Sequence, residues 1–259
     1  MANTSGSPDS APAAITWLGH ASVLLELDGV RLLTDPVLRN RIGPLVRLEA
    51  GRWIESLGPV DCVLLSHLHA DHTDPPSLRR VAGSLPVLAP HPAAGWLSRQ
   101  GLRNVRDLRA GDRVDVSGLV ITATPATHDG RRGPLGPVAD AIGYLVQGSR
   151  SVYFAGDTDL FEAMAQLRGS TTVALLPIWG WGARLGPGHL DPERAAAAAA
   201  LIAPAVVIPI HWGTFALGRP ARRPADPQRP VREFARFMRQ NAPDVEVRVL
   251  APGERTEIH

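Results

Sequence analysis

Lysine is absent from this chain of 259 residues, so all 27 basic residues are arginine, and cysteine occurs once, at Cys62. Arginine in place of every lysine, beside frequent alanine, reads as coding bias and not as arginine-specific recognition. One cysteine excludes an intrachain disulfide and fits a reducing cytoplasm. Charge of one sign is also scarce: 27 basic against 25 acidic residues leave a net charge of +2. That excess creates no field that would select nucleic acid or an anionic membrane as partner. Long apolar runs are missing as well. Residues 195–210 form the most apolar stretch, interrupted by Pro204 and Pro209 and shorter than a membrane span of ~20 residues. The start "MANTSGSPDSAPAA" has neither a basic beginning nor an apolar segment, so residues 1–13 are expected to be a disordered leader without a signal peptide.

What is present is an ordinary globular composition, 44% hydrophobic and 20% charged. No linker divides the chain, and residues 14–259 are expected to form a single domain. Short β-type runs such as "AITWL", "SVLLEL", "DCVLLS" and "LVITATPA" fill the first half, with Asp28-Gly29 as a hairpin turn. Helices are expected over 75–83, behind Thr73 or Asp74 as cap, then over 159–168, over 191–203 behind Asp191 and Pro192, and near 230–240. Residues 218–230, "GRPARRPADPQRP", read as a basic surface loop. Two halves, each of strands with helices, predict a layered α/β sandwich.

The densest chemistry lies in "DCVLLSHLHADHTD". His67, His69, Asp71 and His72 follow an apolar run that ends at Ser66. Histidines two apart on an extended segment project to one side. A strand that delivers them into the loop before a helix puts them at the carboxyl edge of a sheet, where α/β sites form. A polar loop with helix caps accounts for Thr73 or Asp74 but for none of the three histidines. Imidazole with carboxylate suits a divalent metal. Further donors end later β-type runs: His128 after "LVITATPAT", Asp157 after "SVYFAG" and His211 after "AVVIPI".

With these residues in order, H-x-H-x-D-H followed by His128, Asp157 and His211, the sequence resembles the metallo-β-lactamase fold superfamily of metal-dependent hydrolases. "WLGHASVLLELDGVRLLTDPVL", "PGHLDPERA" and "HWGTF" look most like the branch of N-acyl-phosphatidylethanolamine phospholipase D and the ascorbate-6-phosphate lactonase relatives. The resemblance implies a four-layer αββα sandwich with two divalent metal ions, zinc or else manganese or iron. It assigns one metal to His67, His69 and His128 and the other to Asp71, His72 and His211, with Asp157 bridging. A carboxylate has two oxygens to share between cations, and Asp71 could also hold a bridging water.

The implied chemistry is hydrolysis by a metal-bridging hydroxide, of a phosphodiester or related ester, or else of a lactone or other cyclic ester or amide. The substrate is expected to be a small molecule. Non-catalytic metal binding and nucleic-acid processing are the readings from other classes, and a complete ligand set and the small net charge weigh against them. The oligomeric state is not legible. Beside Asp71, His189 and the weaker candidate His20 could contact substrate, although His189 could equally be a flanking residue of the helix behind Asp191. Asp35 is expected to orient a ligand histidine. Of Trp179 and Trp181, one is expected to pack under its glycine-rich loop and the other to line an apolar pocket. Arg184, Arg219, Arg222 and Arg223 are mostly expected at the surface, with contact to an anionic substrate as their other use.

Overall fold

The computed structural model describes residues 13–49, 51, 57–182, 184–218 and 226–259. Its first half contains β1 (Ala13–Gly19), β2 (Ser22–Leu27), β3 (Val30–Thr34), β4 (Arg41–Ile42), β5 (Leu45–Arg47), β6 (Cys62–Leu64), α1 (Pro75–Val81), β7 (Val87–Pro90), α2 (Ala94–Arg99) and β8 (Val105–Leu108). The second half contains β9 (Arg113–Val116), β10 (Leu119–Pro125), β11 (Ile142–Gln147), β12 (Ser151–Phe154), a 3₁₀ helix (Glu162–Leu167), β13 (Val173–Pro177), α3 (Pro192–Ile202), β14 (Val206–Ile210), β15 (Phe215–Leu217), α4 (Arg229–Asn241), β16 (Glu246–Val247) and β17 (Arg255–Ile258).

Two seven-stranded sheets result, in the orders β17-β1-β2-β3-β6-β7-β8 and β16-β14-β13-β12-β11-β10-β9, beside a small sheet of β15, β5 and β4. Period-2 alternation sorts the side chains. Cys62 and Leu64 of β6 face the other sheet, where they share a core with Ile121, Ala123, Tyr144 and Val146. Val63 and Leu65 point the opposite way, onto Leu78 of α1, Ala82 at its C-cap and Leu97 of α2. β13 and β14 are buried at every position, as strands covered on both faces must be, and Ala195, Ala199 and Ile202 of α3 join their core with Phe234 and Met238 of α4. The layers are therefore helix, sheet, sheet, helix. Cys62 is a core residue, and burial pushes its thiol up to about 12, which keeps it protonated and inert.

The helix caps follow the sequence. Asp74 accepts from the Ser77 N–H and Asp191 from the Arg194 N–H, each followed by proline in the first turn, and such a cap contributes roughly 1 kcal/mol. Three expectations change. Ala13, expected in the leader, pairs with Ile258 in β1, and the other residues of that expectation, 1–12, lie outside the described residues. The helix expected over 159–168 is a 3₁₀ helix over Glu162–Leu167 whose N-cap, Phe161, offers no side-chain acceptor. The loop expected over 218–230 gives way to α4 from Arg229, where Pro230 sits in the first turn and costs no hydrogen bond; residues 219–225 of that loop lie outside the described residues.

Strand direction positions the site. β1 and β3 are each antiparallel to β2, and β3 is parallel to β6, so all three run one way. β10 and β12 are likewise both antiparallel to β11, with β12, β13 and β14 parallel. His20, Asp35, Ser66, His128, Asp157, Trp179 and His211 all follow the carboxyl ends of these strands.

Candidate metal centre

Seven of the nine histidines converge at that edge, in groups whose ligand atoms lie within 4.8 Å of one another: His67, His69 and His128; His20, Asp71, His72 and His211; and His128, Asp157 and His189. Getting them there strains the backbone. His20, Asp35 and His211 have φ of 54°, 32° and 63°, a region that costs a residue with a side chain roughly 1–3 kcal/mol and is held only where surroundings over-determine it. The surroundings do so here: the His211 N–H donates to the His20 carbonyl at 2.9 Å, the His20 N–H to Thr214 Oγ1 at 2.7 Å and the Asp35 N–H to the Leu64 carbonyl at 2.9 Å. Gly156 is required just before Asp157, since a Cβ at its φ of 61° would lie 2.5 Å from Ser66 Cβ.

The loop after β6 is clamped from several sides. Thr73 Oγ1 donates to the His67 carbonyl at 2.6 Å, and Arg132 donates to the Leu68 and Thr73 carbonyls at 2.7 Å each. Arg132 is itself seated over the Trp96 ring, 4.8 Å from its centroid.

Hydrogen bonds fix which nitrogen each ring leaves bare. His72 Nδ1 lies 2.7 Å from Asp35 Oδ2, His211 Nδ1 2.7 Å from the Trp179 carbonyl and His128 Nδ1 2.7 Å from the Gly188 carbonyl. All three partners are acceptors, so the Nδ1 atoms carry the hydrogens. Ser66 Oγ spends its single hydrogen on Asp35 Oδ2 at 2.5 Å, so at 2.9 Å it accepts from His67 Nδ1. In the neutral rings, four Nε2 lone pairs then face the centre. His67 Nε2 is buried with no hydrogen-bond partner among the described residues. His72 Nε2 and His211 Nε2 stand 3.0 Å apart, near the roughly 3.3 Å edge of a tetrahedron built from Zn–N bonds of about 2.0–2.1 Å. Two lone pairs at that distance repel unless a proton or a cation lies between them. The residues therefore fit metal ions by the chemistry of their donors.

Asp157 joins the groups. Its Oδ2 is 3.1 Å from His72 Nε2 and 3.5 Å from His189 Nε2, and its Oδ1 is 3.2 Å from His211 Nε2. Asp35 does so from behind, since the oxygen that holds His72 also takes the Ser66 hydroxyl that supports His67.

Electrostatics set His72 apart from the other ligand histidines. Burial pushes His67, His69 and His128 below the ordinary histidine value, and repulsion from neighbouring histidines adds to the shift. Burial also pushes His211 down to about 3. Burial acts in the same direction on His72, but Asp157, Asp35 and Asp71 outweigh it and raise its pKa well above the ordinary value. Asp71 and Asp157, although burial alone would raise them, are held well below the usual carboxylate range by the histidines around them.

The structure brings together all ten of the residues read from the sequence as ligands, catalytic candidates or support: His20, Asp35, His67, His69, Asp71, His72, His128, Asp157, His189 and His211. His20 is buried and bonded through Nε2 to Asp71 Oδ2 at 3.0 Å, whereas the His189 side chain is 23% exposed. Trp179 packs against the core as one tryptophan was expected to, and also lines a cavity of about 300 Å³ with Phe215, Pro227 and Pro230. Trp181, the other, donates instead to Asp71 Oδ2 at 3.0 Å. Arg184 is exposed; Arg219, Arg222 and Arg223 lie outside the described residues. Ser66 and the Gly188 carbonyl were not foreseen. Adjacency to His67 was a signal for Ser66, while Gly188 acts through its backbone, which residue type does not reveal.

Two facing sheets with helices outside and a histidine–aspartate centre at one edge define the metallo-β-lactamase fold. The family model of the Beta-lactamase superfamily domain matches residues 30–212, and the chain belongs to that family. A metal-dependent hydrolase of Methanopyrus kandleri is 38% identical over 251 residues, covering 94% of this chain and 99% of the relative. An N-acyl-phosphatidylethanolamine-hydrolyzing phospholipase D of Caenorhabditis elegans is 31% identical over 233 residues, 78% of this chain and 64% of the relative. Among solved structures, a metallo hydrolase from Ignicoccus hospitalis superposes with a TM-score of 0.73 at 30% identity, covering 96% of this chain and 99% of that one. Among the described residues, no helix is long and apolar enough to cross a membrane.

Proposed function

We propose that the chain is a hydrolase that holds two divalent metal ions, zinc or else manganese or iron, and cleaves a phosphodiester or related ester in a small molecule. The carrying observation is the set of four imidazoles whose Nδ1 hydrogens are committed and whose Nε2 atoms face one centre. His67, His69 and His128 would hold one cation, Asp71, His72 and His211 the other, and Asp157 lies where one carboxylate reaches both groups. When bound, the cations would acidify a water from a pKa of ~15.7 towards about 7 and offset charge that develops on the substrate.

The chain's own groups do the rest. Asp35, Ser66 and the carbonyls of Trp179 and Gly188 keep the rings in the tautomer that can bind. His20 holds Asp71. His189 is raised above the ordinary histidine value, since its hydrogen bond to Asp157 outweighs the opposing effect of burial. Its side chain is 23% exposed, which makes it the candidate for contact with an oxygen of the substrate once Nε2 turns from Asp157. Phosphodiester cleavage is favoured by the likeness to the nematode phospholipase D, whose substrate is a phosphodiester.

The test is turnover of bis(p-nitrophenyl) phosphate by protein reconstituted with Zn²⁺, Mn²⁺ or Fe²⁺, abolished by chelation. Turnover of lactones with no action on the diester would replace this reading with a lactonase. Activity that survives removal of all metal would end both.

A further inference from the structure

Asp71 reaches the centre from the loop after β6, and its Oδ2 is the atom that matters. It lies 4.0 Å from His72 Nε2 and 4.0 Å from His211 Nε2, so it forms the third corner of a triangle over the two facing imidazoles. Two donors converge on that oxygen. His20 Nε2 is 3.0 Å away, and the Trp181 indole N–H donates at 3.0 Å across 110 residues of sequence. Trp181 sits at the tip of a turn that the Trp179 indole N–H closes onto the Gly182 carbonyl at 3.0 Å, with Gly180 and Gly182 on either side. Its ring is 37% exposed, among the few large apolar side chains at the surface. An exposed tryptophan is not needed for packing there, whereas a carboxylate on a loop needs to be fixed if it is to serve as the corner of a coordination polyhedron.

We infer that Trp181 is a positioning residue for Asp71, whose indole N–H, together with His20, holds Oδ2 at the corner shared with His72 and His211. This rests on the proposed second cation site for its consequence, though not for its geometry. The donation removes rotamer freedom from Asp71 and so favours cation binding at this group without touching the His67, His69 and His128 group. Loss of such a supporting hydrogen bond weakens metal affinity by roughly 10–100-fold.

Two measurements test it on the whole protein, with Trp181→Phe as the variant that keeps the ring and removes the donor. In metal-free protein labelled with ¹⁵N-tryptophan, the indole resonance that disappears in Trp181→Phe should lie downfield, exchange slowly despite its exposure, and move on Asp71→Asn. A resonance at the free-indole position that ignores Asp71→Asn overturns the inference, whatever the protein does with metal. In competition titrations with Co²⁺, Trp181→Phe should weaken the equivalent bound by the second group about 10–100-fold, leave the first unchanged, and recover turnover when metal is in excess. Equal weakening of both equivalents, or a loss of thermal stability that excess metal does not repair, would make the role structural and overturn it. Wild-type protein that takes up no second equivalent would instead sink the two-metal reading, and the indole resonance would still decide the hydrogen bond.

Discussion

The two proposed ligand groups both rest on histidine yet are prepared differently. His67, His69 and His128 are all pushed down by burial and mutual repulsion, so at neutral pH they are bare imidazoles. The Asp71, His72 and His211 group contains an anionic carboxylate and a histidine whose pKa is raised well above the ordinary value. The first group is ready for a cation as it stands. The second must give up a proton, because the charge on His72 is what separates two nitrogens 3.0 Å apart. Proton and metal compete for one place, a difference that follows from the acids packed around His72, of which Asp71 belongs to the group itself.

Asp157→Ala should have the largest effect, because its two oxygens reach His72 and His211 and it shares a cluster with His128. Most of about two bound metal ions should be lost by elemental analysis, with turnover falling by more than the ~100-fold typical of outer-shell changes. Retention of both ions would remove Asp157 from the centre. His67→Ala and His211→Ala divide the comparison more finely: each should lose about one ion and keep the other, since neither ring belongs to both groups. Loss of both ions from either variant would mean a single cooperative centre.

Asp35→Asn comes next. One oxygen of Asp35 supports His72 directly and His67 through Ser66, so this change, unlike Trp181→Phe, should weaken both equivalents by about 10–100-fold in a competition titration. The pH dependence should then tell the groups apart. Below its raised pKa His72 keeps its proton, so affinity at the second group should climb with pH by up to about tenfold per unit and level off once that pKa is passed. The first group, with its lowered pKa values, should be flat from about pH 6.5 upward. The sign for stability is the reverse: in metal-free protein the contribution of His72 is complete below about pH 6.5 and is lost as pH rises through the raised value. Parallel pH profiles for both equivalents would erase the distinction.

How much of this was legible follows from what each feature depends on. Donors that end strands could be read because strand ends are marked by apolar runs, which is how His128, Asp157 and His211 were found beside His67 and His69. Asp35 in "LTDP" was read as support beside the family resemblance, and in the structure it too follows a strand end, that of β3. β8, β9 and α2 were not foreseen. β9 is half-exposed along its length and thus lacks a strong apolar pattern, and α2 has no capping side chain. The bond from Trp181 to Asp71 was illegible for another reason: it depends on where two distant turns meet, which no local pattern encodes. The 3₁₀ helix was misread because its helix formers are real but its start offers no acceptor for the first N–H groups.

His189 provides the smallest and finest test. It touches Asp157 at 3.5 Å, yet its Nδ1 is committed to the Gly186 and Pro187 carbonyls at 3.2 and 3.0 Å, and its side chain remains 23% exposed. A residue that belongs to neither group should leave both metal equivalents in place when changed. If it meets the substrate, His189→Asn should lower kcat about tenfold or more, in the range of a single positioned proton donor, with metal content unchanged and the acidic or basic limb of the pH–rate profile displaced. If it only flanks the start of α3, kcat should hold and thermal stability should fall. The two groups would then carry the chemistry with no help from the imidazole beside them, and the contrast between them would be the whole of the centre.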